Sequence, residues 1–207
     1  MKIHAYGDGG IYIDLEMDDA PDRAVRTRTV AASLRHRLPD ADVVIGAGSL
    51  AVFGVGGWDD LDSVVLDAMH EPEGAHVEPR TYELQAIYDG PDLEEVARLT
   101  GHSVAEVVAL HSEREYTVEL IGFLPGFAYL APLDPRLVVA RRASPRPRVP
   151  PASLAIAGSY TGIYPLGSPG GWQLIGRVFG VALFDPQRDP PALLQPGDRV
   201  RFVRCDA

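Results

Sequence analysis

At 207 residues, 46% hydrophobic and 23% charged, the chain has enough material for one large or two small globular domains. A net charge of −10 argues against nucleic-acid and anionic-membrane partners, which are bound through basic patches. A single cysteine, Cys205, leaves no intrachain disulfide and no cysteine zinc site. No charged segment followed by an apolar stretch opens the sequence, and no run is long enough to span a bilayer, so the expected location is the cytoplasm.

In chain order, His4–Tyr6 and Ile11–Leu15 read as strands around the turn Gly7-Asp8-Gly9-Gly10. A helix follows, opened by Pro21 and closed by Leu38-Pro39, with Val25, Val30, Leu34 and Leu38 near helical spacing. Val43–Ile45 and Leu50–Val55 form a second strand pair, and Asp59 or Asp60 caps a helix that ends at Pro72-Glu73-Gly74. Strands split by two helices predict a small ferredoxin-like α+β domain over residues 1–76.

From residue 77 to 207 the pattern changes. Tyr82–Tyr88 alternates as a strand, and Asp92 with Glu95, then Ser103 with Glu106, carry two capping signatures. They open one helix ending at Gly101 and another bearing Val104, Val107, Val108 and His111. Beyond Tyr116, short apolar runs alternate with Gly and Pro through to Arg199–Val203, which predicts a closed or sandwiched β architecture.

Four groups of residues carry candidate chemistry. In Ser168-Pro169-Gly170-Gly171-Trp172-Gln173, two glycines permit close backbone approach, while Trp172, Gln173 and Arg177 offer a flat apolar face, an amide and a fork of donors. The same residues also read as a hairpin turn, a core anchor and a solvated strand charge. Gly122–Phe127 joins a strand to a turn; Phe127 and Tyr129 either pack a barrel corner or line a cleft mouth that a partner could use. Arg141, Arg142, Arg146 and Arg148, spaced by Pro145 and Pro147, concentrate positive charge in an acidic chain and read as an extended arm over an anion site, or as a solvated loop. His111 lies on the apolar stripe of its helix, where it is either a satisfied core residue or a catalytic general base.

Other signals are missing. Gly46–Ala51 lacks the third glycine of a dinucleotide loop, and no GxxxxGK[ST] or nucleophile elbow occurs. The one Met-Lys pair is at the start, so there is no usual biotin-attachment site. Pro72 and Gly74 interrupt the helix that His70, Glu71 and His76 would need to ligate a metal, and no metal site is expected.

The motifs GFLPGFAYL (Gly122–Leu130), RRASPRPRVP (Arg141–Pro150), Ala157–Pro165 and SPGGWQLIGR (Ser168–Arg177) resemble the family of bacterial 5-oxoprolinase B subunits. That family includes a sporulation histidine kinase inhibitor and proteins labelled allophanate hydrolase subunit 1; half of a urea carboxylase carboxyltransferase domain is related to it. The resemblance runs from Tyr82 to the end, with Tyr160 where the family usually carries Gln, Ala128 where it carries Pro, and Pro151 where it carries Ala.

The resemblance implies a cyclophilin-like β-barrel for 77–207 and one component, inactive alone, of an ATP-dependent complex that hydrolyses 5-oxo-L-proline to L-glutamate. It implies a small-molecule substrate, a paralogous barrel partner of the C type and an A-type protein that uses ATP, with no cofactor bound by this chain. In that reading Arg177 takes the substrate carboxylate, Gln173 and the Gly170-Gly171 backbone take a carbonyl oxygen, and Trp172 takes the ring face. Arg148, Tyr160 and Tyr164 complete the pocket. The alternatives are a kinase-inhibitor-type binding protein and a component of a carboxyltransferase or allophanate hydrolase.

Overall fold

Hydrophobic residues recur every second position in the strands of the first 53 residues, and they select which face of a sheet is covered. The structure, a computed structural model, describes residues 1–7, 9–17, 22–54, 61–70 and 78–205. The chain divides into two units, Met1–Pro79 and Arg80–Ala207. The first runs β1 (Lys2–Tyr6), β2 (Gly10–Asp14), α1 (Arg23–Arg37), β3 (Asp42–Ile45), β4 (Ser49–Phe53) and α2 (Leu61–His70). Its strands pair antiparallel throughout in the order β1-β2-β4-β3. Ile11, Ile13, Val43, Leu50 and Val52 turn to one face and meet Val30 and Leu34 of α1 and Leu61 and Val65 of α2. The opposite face leaves Tyr6, Tyr12 and Val44 exposed. Pro21, Asp59, Asp60, Glu71, Pro72–Gly74 and His76, which the sequence singles out, lie outside the described residues.

The second unit begins with β5 (Thr81–Ile87), α3 (Leu93–Thr100), α4 (Val104–Ser112), β6 (Glu115–Ile121) and β7 (Ala128–Ala131). It continues through β8 (Arg146–Val149), β9 (Ser153–Ala157), β10 (Tyr160–Ile163), β11 (Ser168–Gly170), β12 (Gln173–Val178) and β13 (Arg199–Arg204). Seven strands close a barrel in the order β10-β7-β6-β13-β5-β12-β9, as the Gly- and Pro-punctuated pattern predicts. Helix α3 stops at Gly101, whose φ of +72° suits glycine, and α4 starts at a capping box between Ser103 and Glu106.

Strand β9 shows how the barrel is layered. Leu154 and Ile156 point into the main core with Leu130, Ile175, Val200 and Phe202, whereas Ala155 and Ala157 join a second cluster. All five residues of β9 are buried, so both of its faces are covered. The second cover includes the ribbon of β8 and β11, which pair antiparallel. The expected extended arm over Arg141–Pro150 is therefore in part a strand, and Val149 in it is fully buried. Proline is tolerated because the ribbon has two strands and therefore only edges. Among the described residues no helix is long and apolar enough to cross a membrane.

Candidate functional site

The second layer is aromatic. Phe127 sits at its centre, with ring centroids 5.5 Å from Phe123, 5.1 Å from Tyr129, 5.2 Å from Tyr164 and 5.4 Å from Trp172. All four are steep, edge-on contacts, each worth roughly 0.5–1.5 kcal/mol beyond the area buried. Gly162 makes the floor: a Cβ there would stand 3.0 Å from the Phe127 ring. Phe127, Tyr164 and Trp172 are buried; Tyr129 and Tyr160 are half-buried, their rings 5.7 Å apart. Burial of Tyr129 and Tyr164 pushes both phenols up, so they stay neutral hydrogen-bonding groups at neutral pH.

Phe123 is held differently. Leu124 N donates to Gly122 O at 2.8 Å, which closes a three-residue turn with Phe123 at φ +66°. Phe127 N donates to Leu124 O, with Gly126 at φ +77° and Pro125 before it, closing the turn that follows. A bulky residue in left-handed backbone is strained, and here the two turns hold a ring that is 60% exposed at the edge of the layer.

The segment Ser168–Arg177 is not gathered at one place. Gly170 is required by Tyr164, because a Cβ at 170 would overlap the tyrosine hydroxyl and ring; the expected close approach to a ligand is an approach to this side chain. Gly171 has only ordinary contacts around a Cβ, and its carbonyl accepts from Arg142 N at 2.7 Å. Trp172 is 5% exposed, edge-on to Phe127 and Tyr129, and anchors the layer instead of offering a ring face. Gln173 lies in a different setting, described below. Arg177, four residues along β12 or about 13 Å at strand rise, pairs with Asp89 at 2.9 Å, and both are largely exposed.

His111 is fully buried. The Thr161 hydroxyl donates to Ala155 O at 3.0 Å, so its oxygen accepts from His111 Nε2, 2.8 Å away. His111 Nδ1 then accepts from the Tyr88 hydroxyl at 2.8 Å, which assigns the Nε2–H tautomer from the network. The ring packs against Tyr116 and Phe202, and burial pushes its pKa down to about 3. Sealed from solvent with both nitrogens engaged, His111 is a core residue, and the expectation of a catalytic base fails on access.

A third region centres on Asp92, just before α3. Its Oδ1 accepts from Arg142 Nη1 at 3.0 Å and Arg146 Nη2 at 2.6 Å, and its Oδ2 accepts from Leu174 N at 2.7 Å. Its backbone N–H donates to Leu174 O. One carboxylate thus ties the arginine run to β12 beside Gln173. Sequence spacing marks Asp92 as a helix cap, yet its side chain makes no capping bond. The signal for its actual role is charge: four arginines packed closely in a chain of net charge −10 call for a nearby counter-ion. Arg148 is exposed, and neither it nor Arg141 has an ion pair among the described residues.

Next to Asp92, a groove of about 610 Å³ runs between α3 (Glu95, Leu99) and residues 138–144, with Gln173 among the residues that line it. Gln173 is 6% exposed; its Nε2 donates to Ala140 O at 3.2 Å and its Oε1 has no partner.

Comparisons with known proteins agree with this architecture. Residues 1–194 match the family model described as carboxyltransferase domain, subdomain C and D. The chain is 49% identical over 152 residues to the 5-oxoprolinase B subunit of Escherichia coli O157:H7, covering 69% of each protein. It is 40% identical over 179 residues to the 5-oxoprolinase B subunit of Haemophilus influenzae, covering 84% of this chain and 83% of that one. Among solved structures, TTHA0988 superposes with a TM-score of 0.80 at 38% identity over 96% of this chain, which spans 40% of that longer chain. The urea carboxylase of Kluyveromyces lactis shares the fold with a TM-score of 0.74 at 20% identity, over 99% of this chain and 22% of its own. The chain belongs to the carboxyltransferase-domain C and D family and, within it, to the group of the 5-oxoprolinase B subunits.

Proposed function

We propose that this chain is the B-type component of an ATP-dependent 5-oxoprolinase, a complex that opens the lactam of 5-oxo-L-proline to L-glutamate. The observation that carries the reading is 40% identity, across 84% of the chain, to the Haemophilus influenzae relative of that name. A lactam carbonyl is a poor electrophile. Transfer of the ATP γ-phosphoryl group to its oxygen makes a better acceptor for water. The hydrated adduct then expels the ring nitrogen as the protonated amine, which breaks the C–N bond and leaves a γ-glutamyl phosphate. A second water displaces phosphate from that acyl carbon to give glutamate, ADP and phosphate. The chain shows no phosphate-binding loop in its sequence, so ATP belongs to an A-type partner. A paralogous barrel of the C type would complete the cleft, and cytoplasmic residence follows from the substrate and from ATP.

In this reading the barrel unit contributes binding and partner surface, not a nucleophile. His111 is sealed, and Tyr129 and Tyr164 are neutral. Phe123, Tyr129 and Tyr160 form the accessible edge of the aromatic layer and suit contact with a second barrel. The test is reconstitution: the purified chain should release no glutamate from 5-oxoproline with ATP, and addition of C-type and A-type partners should restore turnover. Turnover by the chain alone, or none by the full set, overturns the reading.

A further inference from the structure

We propose that the groove between α3 and residues 138–144 binds a small carboxylate carrying a neighbouring amide N–H, with the N–H donating to Gln173 Oε1 and the carboxylate pairing with Arg142. Two shortfalls in the groove define this ligand. The first is an acceptor without a donor. Gln173 is buried, and its bond from Nε2 to Ala140 O fixes the amide, since a flipped amide would set two carbonyl oxygens against each other. Oε1 therefore faces no donor in the free chain. Leaving a buried acceptor unmet is costly, and a bound N–H would recover that cost.

The second shortfall is negative charge. Asp92 offers one carboxylate to two guanidinium groups, and its other oxygen is already taken by Leu174 N. Arg142 Nε and Arg146 Nη1 have no partners. Arg141, which also lines the groove, has no ion pair among the described residues. The acid lining the groove, Glu95, is held by Arg98 through two hydrogen bonds of 2.7 and 2.6 Å. The local balance is positive in a chain of net charge −10.

A simple anion would leave Oε1 unmet, and a neutral amide would leave the guanidinium charge unmet. A ligand bearing both groups meets both. Leu99, Val138 and Val139 give the groove apolar walls for a short hydrocarbon edge, and about 610 Å³ lies within the size range of small-molecule sites. Oε1 and Arg142 Nε are covered in the free chain, so entry requires the Arg142 side chain, 36% exposed, to turn outward. This assigns the anion to the arginine run instead of to Arg177.

The choice of probe rests on the lactam reading above; the groove chemistry does not. The isotopically labelled full chain is titrated with 5-oxo-L-proline, with its lactone analogue (ring oxygen in place of N–H) and with 2-pyrrolidinone (no carboxylate), and followed by NMR. The Gln173 side-chain amide and Arg142 Nε–H resonances should shift with 5-oxo-L-proline. Each analogue should bind at least about tenfold more weakly, the equivalent of about 1.4 kcal/mol. Gln173→Leu and Arg142→Met should each abolish the response; if either fails to fold, the analogue series on the unaltered chain decides. Equal affinity for lactam and lactone, shifts confined to Arg177 or the aromatic layer, or no response overturns the proposal. If the groove responds while the reconstituted complex does not hydrolyse 5-oxoproline, the reaction assignment falls and the groove stands; turnover without a groove response removes the groove.

Discussion

Asp89 and Asp92 stand three residues apart, and each holds arginine, yet the two pairings are physically different. The Asp92 side chain is 5% exposed and accepts from two guanidinium groups and one backbone N–H. The Asp89 side chain is 42% exposed and meets Arg177, which is 51% exposed. A buried carboxylate engaged through both oxygens costs much to remove, whereas an exposed pair trades with water at little cost. The placements differ too: the buried pairing lies beside a groove, and the exposed one decorates the end of a strand.

The largest expected effect comes from removing the buried carboxylate. Asp92→Ala should cost about 3–5 kcal/mol, because it leaves Arg142 and Arg146 partly buried without their counter-ion. Urea unfolding measures it, and a loss below about 1 kcal/mol would place Asp92 with Asp89.

A buried group that must stay neutral gives the converse case. The folded-state pKa of His111, about 3, lies below its ordinary value near 6.5, so between these values the unfolded chain holds the extra proton. The stability is fully present above about pH 6.5, declines as pH falls, and levels off below about 3. Urea midpoints at pH 7 and pH 4 should differ more for the parent chain than for His111→Gln, which can hydrogen-bond without titrating in this range. Equal pH slopes would show that His111 protonates freely.

Gly170 tests packing without charge. Gly170→Ala drives a methyl into the Tyr164 hydroxyl and ring and should cost about 1–3 kcal/mol as an overpacking strain. Gly171→Ala, with nearest neighbours at 3.7 Å, should stay within about 1 kcal/mol. Thermal melts of the two variants compare them directly, and equal losses would mean the ribbon of β8 and β11 adjusts around either methyl.

Periodicity and punctuation make the scaffold legible. Alternation marks β2 and β4, Ser103 with Glu106 marks a real capping box, and Gly and Pro spacing marks a barrel of short strands. The candidate site is less legible, because sequence adjacency does not say which face a side chain takes. Trp172 and Gln173 are neighbours, yet one anchors the aromatic layer and the other lines a groove. The arginine run reads as an extended arm over an anion site or as a solvated loop, and its protein counter-ion goes unseen because it is 50 residues away in sequence, at a position with the spacing of a helix cap. His111 reads from its helix stripe as a satisfied core residue, with a catalytic base as the alternative, and the hydrogen bonds to Tyr88 and Thr161 fit the core reading.

The smallest expected effect falls on Arg177, and it carries the contrast between the two aspartates into function. Arg177→Met keeps the aliphatic stem and removes an exposed ion pair, so it should change stability by no more than about 0.5 kcal/mol. A double-mutant cycle with Asp89→Asn should give a coupling of about 0.2–1 kcal/mol that shrinks with added salt. If the anion-binding guanidinium is Arg142, the reconstituted complex carrying Arg177→Met should keep kcat/KM for 5-oxoproline within about twofold, while Arg142→Met should lower it by at least about tenfold through loss of a charge-assisted contact. The opposite outcome, a collapse in kcat/KM for Arg177→Met at an unchanged urea midpoint, would return the carboxylate to Arg177. It would make Asp89 a stand-in for the substrate in the free chain, displaced when the real carboxylate arrives.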